Sequence, residues 1–205
     1  MAELTLYHAS PSRSSVVLWM LEELGQPYDV KLIRLSEGEN LKPEYLAINP
    51  MGKVPALSHR GTVITEVAAI CTYLADEFPQ AKLNIPIGTP QRGVYLKWLF
   101  FGPGALESAV IDRAAPRKEP ARRGMLGYGD FDTTMDVVAK AVAKGPWLMG
   151  EQFTAADVVI GANVRWGMMF KMLPERKEFT DYAARIAARP TAQRAEAKDK
   201  EWQAA

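Results

Sequence analysis

The chain has 205 residues, 48% of them hydrophobic and 24% charged, which is enough for one good-sized core or two small ones. With 25 basic residues against 24 acidic, no global field draws in nucleic acid or an anionic membrane surface, so neither is expected as a partner. The single cysteine, Cys71, excludes an internal disulfide framework and suits a reducing compartment. Residues 1–8 carry an acid and alternate, unlike a secretory signal, and no apolar run approaches the roughly 20 residues of a membrane span. The expected location is the cytoplasm.

In chain order, Leu4, Leu6 and His8 alternate with Thr5 and Tyr7, the period of a strand with two different faces. Ser10-Pro11-Ser12 interrupts it, and residues 16–24 then present a broad apolar helical face that ends at Gly25, with Pro27 just beyond. Residues 28–33 are again strand-like and complete a strand-helix-strand unit. Its short connections favour a parallel pair with a right-handed crossover. After a polar excursion, residues 54–58 and 63–65 read as a hairpin around His59-Arg60-Gly61, and 66–78 as an amphipathic helix stopped by Pro79. This order is the plan of a thioredoxin-like α/β domain, though spacing alone leaves other α/β sandwiches open. Proline, glycine and polar residues then mark a linker.

Beyond it the pattern is helical throughout. Thr89-Pro90 starts a helix carrying Tyr95, Leu96, Trp98, Leu99 and Phe101, expected to break or kink at Gly102-Pro103-Gly104. Helices are expected over 105–114 and 130–144. Thr154-Ala155-Ala156-Asp157 reads as a capping-box variant before another helix. Residues 179–189 and 191–202, divided by Pro190, supply the last two. The expected organisation is a thioredoxin-like domain over 1–80, a linker over 81–89, and an all-α domain over 90–205.

Several segments carry a more specific likeness. Asn49-Pro50-Met51-Gly52-Lys53-Val54-Pro55-Ala56-Leu57 resembles the segment around a cis-proline in the cytosolic glutathione transferases. Thr65-Glu66-Val67-Ala68-Ala69-Ile70 is similar to that family's acidic residue at a helix start. Trp147-Leu148-Met149-Gly150, with Phe153-Thr154-Ala155-Ala156-Asp157, matches the folding motif of its helical domain, and Ala188-Arg189-Pro190 its terminal pattern. Each is weak alone, but together in this order they identify the chain as a bacterial-type member with a serine-type active site. The resemblance implies glutathione as co-substrate, no metal, and a homodimer.

Glutathione has a free ammonium, two carboxylates, a short backbone and one thiol, and each needs its own group. Val54, ahead of Pro55, is placed to pair with the cysteinyl backbone in the manner of strand addition. The resemblance implies that this peptide bond is cis. Glu66 offers a carboxylate to the ammonium, and the following helix start offers N–H groups to a carboxylate. Where the family usually has serine this chain has Val67, so one hydroxyl donor is missing. Lys53 is the nearest cation for the glycyl carboxylate.

The thiol must ionise to attack, and an ordinary cysteine thiol has a pKa of about 8.5. Ser10 and Ser12 stand where the family keeps its thiol-stabilising residue. A gapless count back from Gly25 puts Pro11 there, so either flanking serine can take the role. Tyr7 is an alternative donor, or part of a second-substrate pocket between the domains with Trp98, Phe101 and Met168. The function read from the chain is conjugation of the glutathione thiolate to small apolar electrophiles, a detoxification chemistry. The alternatives are a glutathione-dependent disulfide reductase or peroxidase, and a non-catalytic binder of glutathione or apolar ligands.

Overall fold

The computed structural model describes residues 2–119 and 121–203. The chain divides into two compact units, residues 1–81 together with 189–205, and residues 82–188.

The first unit is built on a four-stranded sheet in the order β2-β1-β3-β4. Strand β1 (Leu4–His8) leads through α1 (Ser14–Leu24) to β2 (Tyr28–Leu32), which pairs parallel to β1. Strands β3 (Ala56–His59) and β4 (Thr62–Thr65) form an antiparallel hairpin, with β3 also antiparallel to β1. Its two-residue loop, Arg60-Gly61, has both residues at positive φ, 49° and 81°, the backbone twist that a tight hairpin between right-twisted strands demands. Helix α1 ends as its sequence predicts, with Gly25 at φ 70° donating its N–H to the Leu21 carbonyl. Helix α3 (Val67–Glu77) follows β4 and packs on α1, burying Ile70, Cys71 and Leu74 completely. Each such large aliphatic side chain contributes about 1.5–3 kcal/mol relative to exposure. The short helix α2 (Pro43–Leu46) carries Tyr45 against Tyr7 and Ala56, with Ile33, Ile48 and Val54 packed around them. The fold is thus the expected thioredoxin-like arrangement.

The last helix departs from the sequence reading, which assigned it to the helical domain. Helix α9 (Pro190–Gln203) packs on α1 in the first unit. It buries only two small apolar residues, Ala192 and Ala195, and is held instead by charge. Arg189 pairs with Glu23 at 2.6 Å, Arg194 with Glu22 at 3.0 Å, and Lys198 also reaches Glu22. Burial works against the Glu22 carboxylate, but hydrogen bonds from Lys198, Tyr28 and Arg194 outweigh it and hold its pKa below the ordinary carboxylate value.

The second unit is helical: α4 (Pro90–Phe101), α5 (Ser108–Ala114), α6 (Phe131–Val142), α7 (Ala155–Met169) and α8 (Lys177–Ala187). At Gly102-Pro103-Gly104, where a break or kink is expected, the α-helical pairing gives way but the helix does not end. The chain continues from α4 to α5 through a π-helical segment, Gly102–Glu107, whose widened turn absorbs the proline without ending the helix. Helix α7 is central, with Ala155 through Ala162 buried without interruption. Residues read as linker are tied to its start: Leu83 accepts the Ala155 N–H at 2.8 Å, and the Gln152 amide donates to the carbonyls of Lys82 and Asn84. Gly102 lies against α7 so closely that a Cβ there would stand 2.6 Å from Val159 Cγ1. Gly102→Ala should therefore lower stability by about 1–3 kcal/mol, read as a shifted urea midpoint with an unchanged slope. An unchanged midpoint would mean that the helices part at no cost.

Candidate functional site

The sheet register gathers the predicted site at one end of the first unit. Tyr7 pairs with Ala56, and Ala56 with Thr65. The loop after β1, the turn before β3 and the start of α3 after β4 therefore leave the sheet at the same edge. Ser10 and Ser12 lie in the first of these segments, Lys53-Val54-Pro55 in the second, and Glu66-Val67 in the third. The N-termini of α1 and α3 also open there; the first N–H groups of α1 are taken up by Ser12 and Arg13, so it is the first turn of α3 that offers N–H groups and partial positive charge.

The Val54-Pro55 peptide bond is cis, as the likeness implied, and so is Ser10-Pro11, which the sequence reading did not foresee. Val54 is not on an edge strand, as the sequence reading had it. It precedes β3, which is interior to the sheet, between β1 and β4. Its peptide groups thus lie outside the ladder. The turn that carries it is pinned from behind, because the Lys53 carbonyl accepts from the Tyr45 hydroxyl and the Asn49 amide, each at 2.7 Å. Gly52 makes the preceding step at φ 61°, where a Cβ would meet the Asn40 carbonyl and Leu41 at 3.0 Å. The Lys53 side chain is exposed.

Glu66 sits just before α3 with φ 69° and ψ 120°, a conformation that costs a non-glycine residue of order 1–3 kcal/mol. Its exposed side chain makes no capping hydrogen bond to the helix it precedes, which leaves the carboxylate free to meet a ligand. Val67 is the first residue of α3 and offers only its main-chain N–H.

The two serines differ in their surroundings. Ser10 is among the groups that favour the charged form of the Asp199 carboxylate. Ser12 accepts the Ser14 N–H at 3.1 Å, and its Oγ lies 2.7 Å from Ser14 Oγ. Behind them is a polar cluster that sequence reasoning missed. Ser14, fully buried, lies 2.8 Å from His8 Nδ1, and on the far side of that buried ring Nε2 is 2.9 Å from Asp199 Oδ1. This last contact is an ion-pair approach more than an aligned hydrogen bond. Ser15 donates to the other carboxylate oxygen at 2.8 Å. Burial disfavours the Asp199 charge, but bonds from His8, Ser15 and Ser10 prevail and hold its pKa below the ordinary value. Periodicity assigned His8 to a strand face, and nothing in sequence links it to a residue so far along the chain.

Tyr7 is 8% exposed and packs edge-on against Tyr45, ring centroids 6.0 Å apart, so its place is in the core rather than in a pocket wall. In the helical unit, Trp98 is buried and stacks edge-on with the partly exposed Phe101 at 5.4 Å, while Met168 is half-buried on α7. Cys71 is fully buried, and burial pushes its thiol up to about 12.

Residues 12–77 match the N-terminal domain of glutathione S-transferases. The chain is 31% identical over 167 residues to glutathione S-transferase GstA of Escherichia coli O157:H7, covering 80% of this chain and 81% of that protein. This chain belongs to the glutathione S-transferase family. It is also 32% identical over 189 residues to the glutathione S-transferase-like protein gedE of Aspergillus terreus, covering 84% of this transferase and 79% of that protein. Among solved structures, a glutathione transferase from Methylococcus capsulatus superposes with a TM-score of 0.79 at 27% identity, covering 97% and 99% of the two chains. A glutathione transferase homologue from Sulfitobacter, solved with bound glutathione, superposes at 0.78 with 25% identity, covering 97% and 99%.

Proposed function

We propose that this protein conjugates glutathione to small apolar electrophiles, with the Ser12 hydroxyl stabilising the attacking thiolate. The observation that carries the reading is the state of the hydroxyl and thiol groups. Ser12 stands ahead of α1 with its Oγ bonded to the hydroxyl and N–H of Ser14 at the helix start, Ser10 acts on the Asp199 carboxylate, and the chain's one cysteine is buried in α3. A hydroxyl donor at a helix N-terminus favours a thiolate without forming a bond to it. A reductase working through a protein mixed disulfide would need a reachable thiol, and Cys71 is not one.

In this reading the cysteinyl backbone pairs with Val54, next to Pro55. The γ-glutamyl ammonium meets Glu66, its carboxylate meets the N–H groups from Val67 onward, and Lys53 takes the glycyl carboxylate. Phe101 and Met168, both with exposed surface, are the proposed contacts for an apolar electrophile. A cytoplasmic setting agrees with the single free thiol. A homodimer is supported by the exposed Val94 and Phe100 of α4 and Ile111 of α5.

Retention on immobilised glutathione, followed by turnover of an aryl halide but not of a small disulfide, is the expected result. Failure to bind glutathione at millimolar concentration would sink the proposal. Ser12→Ala should raise the ionisation midpoint of the bound thiol by about one pH unit and lower kcat/KM near neutral pH about tenfold. Ser10→Ala should move the midpoint less. The reverse order would transfer the role to Ser10.

A further inference from the structure

We propose that Ser14, His8 and Asp199 form a hydrogen-bonded relay that sets which way the Ser12 hydroxyl proton points, making Asp199 a positioning residue for the glutathione thiolate. The proposal rests on the reading of Ser12 above.

The argument is a count of donors and acceptors at Ser14 Oγ. A hydroxyl has one proton to donate and two lone pairs to accept with. Four groups crowd this one: the Ala9 N–H at 3.1 Å, the Ala9 carbonyl at 3.1 Å, His8 Nδ1 at 2.8 Å and Ser12 Oγ at 2.7 Å. The Ala9 N–H always fills one lone pair. The second is contested between His8 and Ser12, and the state of the ring decides the contest.

Asp199 keeps a proton on Nε2, because a bare nitrogen facing a carboxylate at 2.9 Å would set lone pair against charge. When Nδ1 also carries a proton, it donates to Ser14 and fills the second lone pair. Ser14 can then accept nothing from Ser12. The Ser12 proton turns outward, toward the sulfur, while the lone pairs of Ser12 remain served by the Ser14 N–H at 3.1 Å. When Nδ1 is bare, Ser14 donates to it, its second lone pair is free, and the Ser12 proton falls back onto Ser14. The thiolate loses its donor.

A doubly protonated ring in a fully buried position would need an opposing charge beside it. Asp199 is that charge, with 19% of its side chain exposed. Among the described residues, Trp202 from α9, with ring centroids 5.3 Å apart, and Ser14 from α1 are neutral groups against the ring. A carboxylate on the last helix thus acts on the thiol through three side chains, His8, Ser14 and Ser12, and touches neither glutathione nor Ser12.

Asp199→Asn keeps the size and leaves an amide oxygen for Nε2–H but removes the charge. The thiol of bound glutathione, followed by thiolate absorbance against pH, should then ionise about one pH unit higher. Affinity for S-methylglutathione, which has no thiol proton, should not change. Adding His8→Asn, whose amide can donate to Ser14 with no charged partner, should bring the midpoint back. A midpoint unmoved in Asp199→Asn but raised in Ser12→Ala would overturn the relay and leave the serine reading standing. A midpoint unmoved in Ser12→Ala would remove both. If Asp199→Asn does not fold, nitrogen NMR of the native chain decides. Only two histidines are present, so His59→Gln assigns the signals, and both His8 ring nitrogens should be protonated with glutathione bound. A bare Nδ1 in that complex would overturn the proposal.

Discussion

Replacing Glu66 by glutamine should weaken glutathione binding about 10–100-fold, the worth of one charge-assisted hydrogen bond. Glutamine keeps the length and the backbone demand of the position and changes only the charge. The melting temperature should stay where it is, because the native side chain makes no capping bond to α3. A glutathione analogue lacking the α-amino group separates this from general damage, and should bind the native chain and the variant alike. Equal affinity of the two proteins for glutathione itself would detach Glu66 from the ligand. The unfavourable φ of 69° adds a second expectation. Glu66→Gly should lose affinity in the same way without losing stability, since glycine reaches this conformation freely. Glu66 would then be a residue kept for binding against the preference of its own backbone.

The largest effect on stability should come from Asp157. Its carboxylate accepts from the Leu148 N–H at 2.8 Å and the Tyr182 hydroxyl at 2.8 Å through one oxygen, and from the Thr154 N–H at 3.0 Å and hydroxyl at 3.2 Å through the other. It thereby closes the capping box of α7 and ties the 147–150 turn and α8 to the same point. Asp157→Ala strands these donors in the interior and should cost about 3–4 kcal/mol, or about 10 °C in Tm. Asp157→Asn should cost about half as much, since its amide oxygen still serves Leu148 and Tyr182 while its NH2 confronts the Thr154 N–H.

Burial raises the Asp157 pKa against the bonds from Leu148, Thr154 and Tyr182. The folded chain therefore holds this proton more tightly than the unfolded chain. Its contribution is fully present below the ordinary carboxylate value and declines as pH rises through the raised one. Urea midpoints measured across that range should fall with pH in the native chain and fall less in Asp157→Asn. Parallel slopes would mean that the carboxylate titrates the same way in both states.

Those residues also mark how far one-dimensional reading reaches. The alternation of β1, the Gly25 stop, the turn between β3 and β4 and the Thr154–Asp157 box are local, each decided by neighbours within about one helical turn or one hairpin. Ser10, Ser12, Lys53, Val54, Glu66 and Val67 were recognised by their order along the chain, and the strand register then brought their three segments to one edge. The proposed preference for Ser12 over Ser10 draws on the position of Asp199, 189 residues beyond Ser10, and no local pattern carries that information. Helix α9 was misassigned for a related reason. With no apolar stripe, its address is written in the pairing of Arg189 and Arg194 with Glu22 and Glu23, and charges on a polar helix look from sequence like a solvated face. Tyr7 shows the opposite error, a polar tip suggesting a pocket where the ring is core.

Because residues from 189 onward complete a unit that begins at the N-terminus, the first half of this protein is discontinuous in the gene. A ribosome delivers every helix from α4 to α8 before the segment carrying Asp199 emerges. Until then the His8 imidazole has no counter-ion, and Glu22 and Glu23 face water. Docking of α9 on α1 therefore waits until α1 to α8 have all been made.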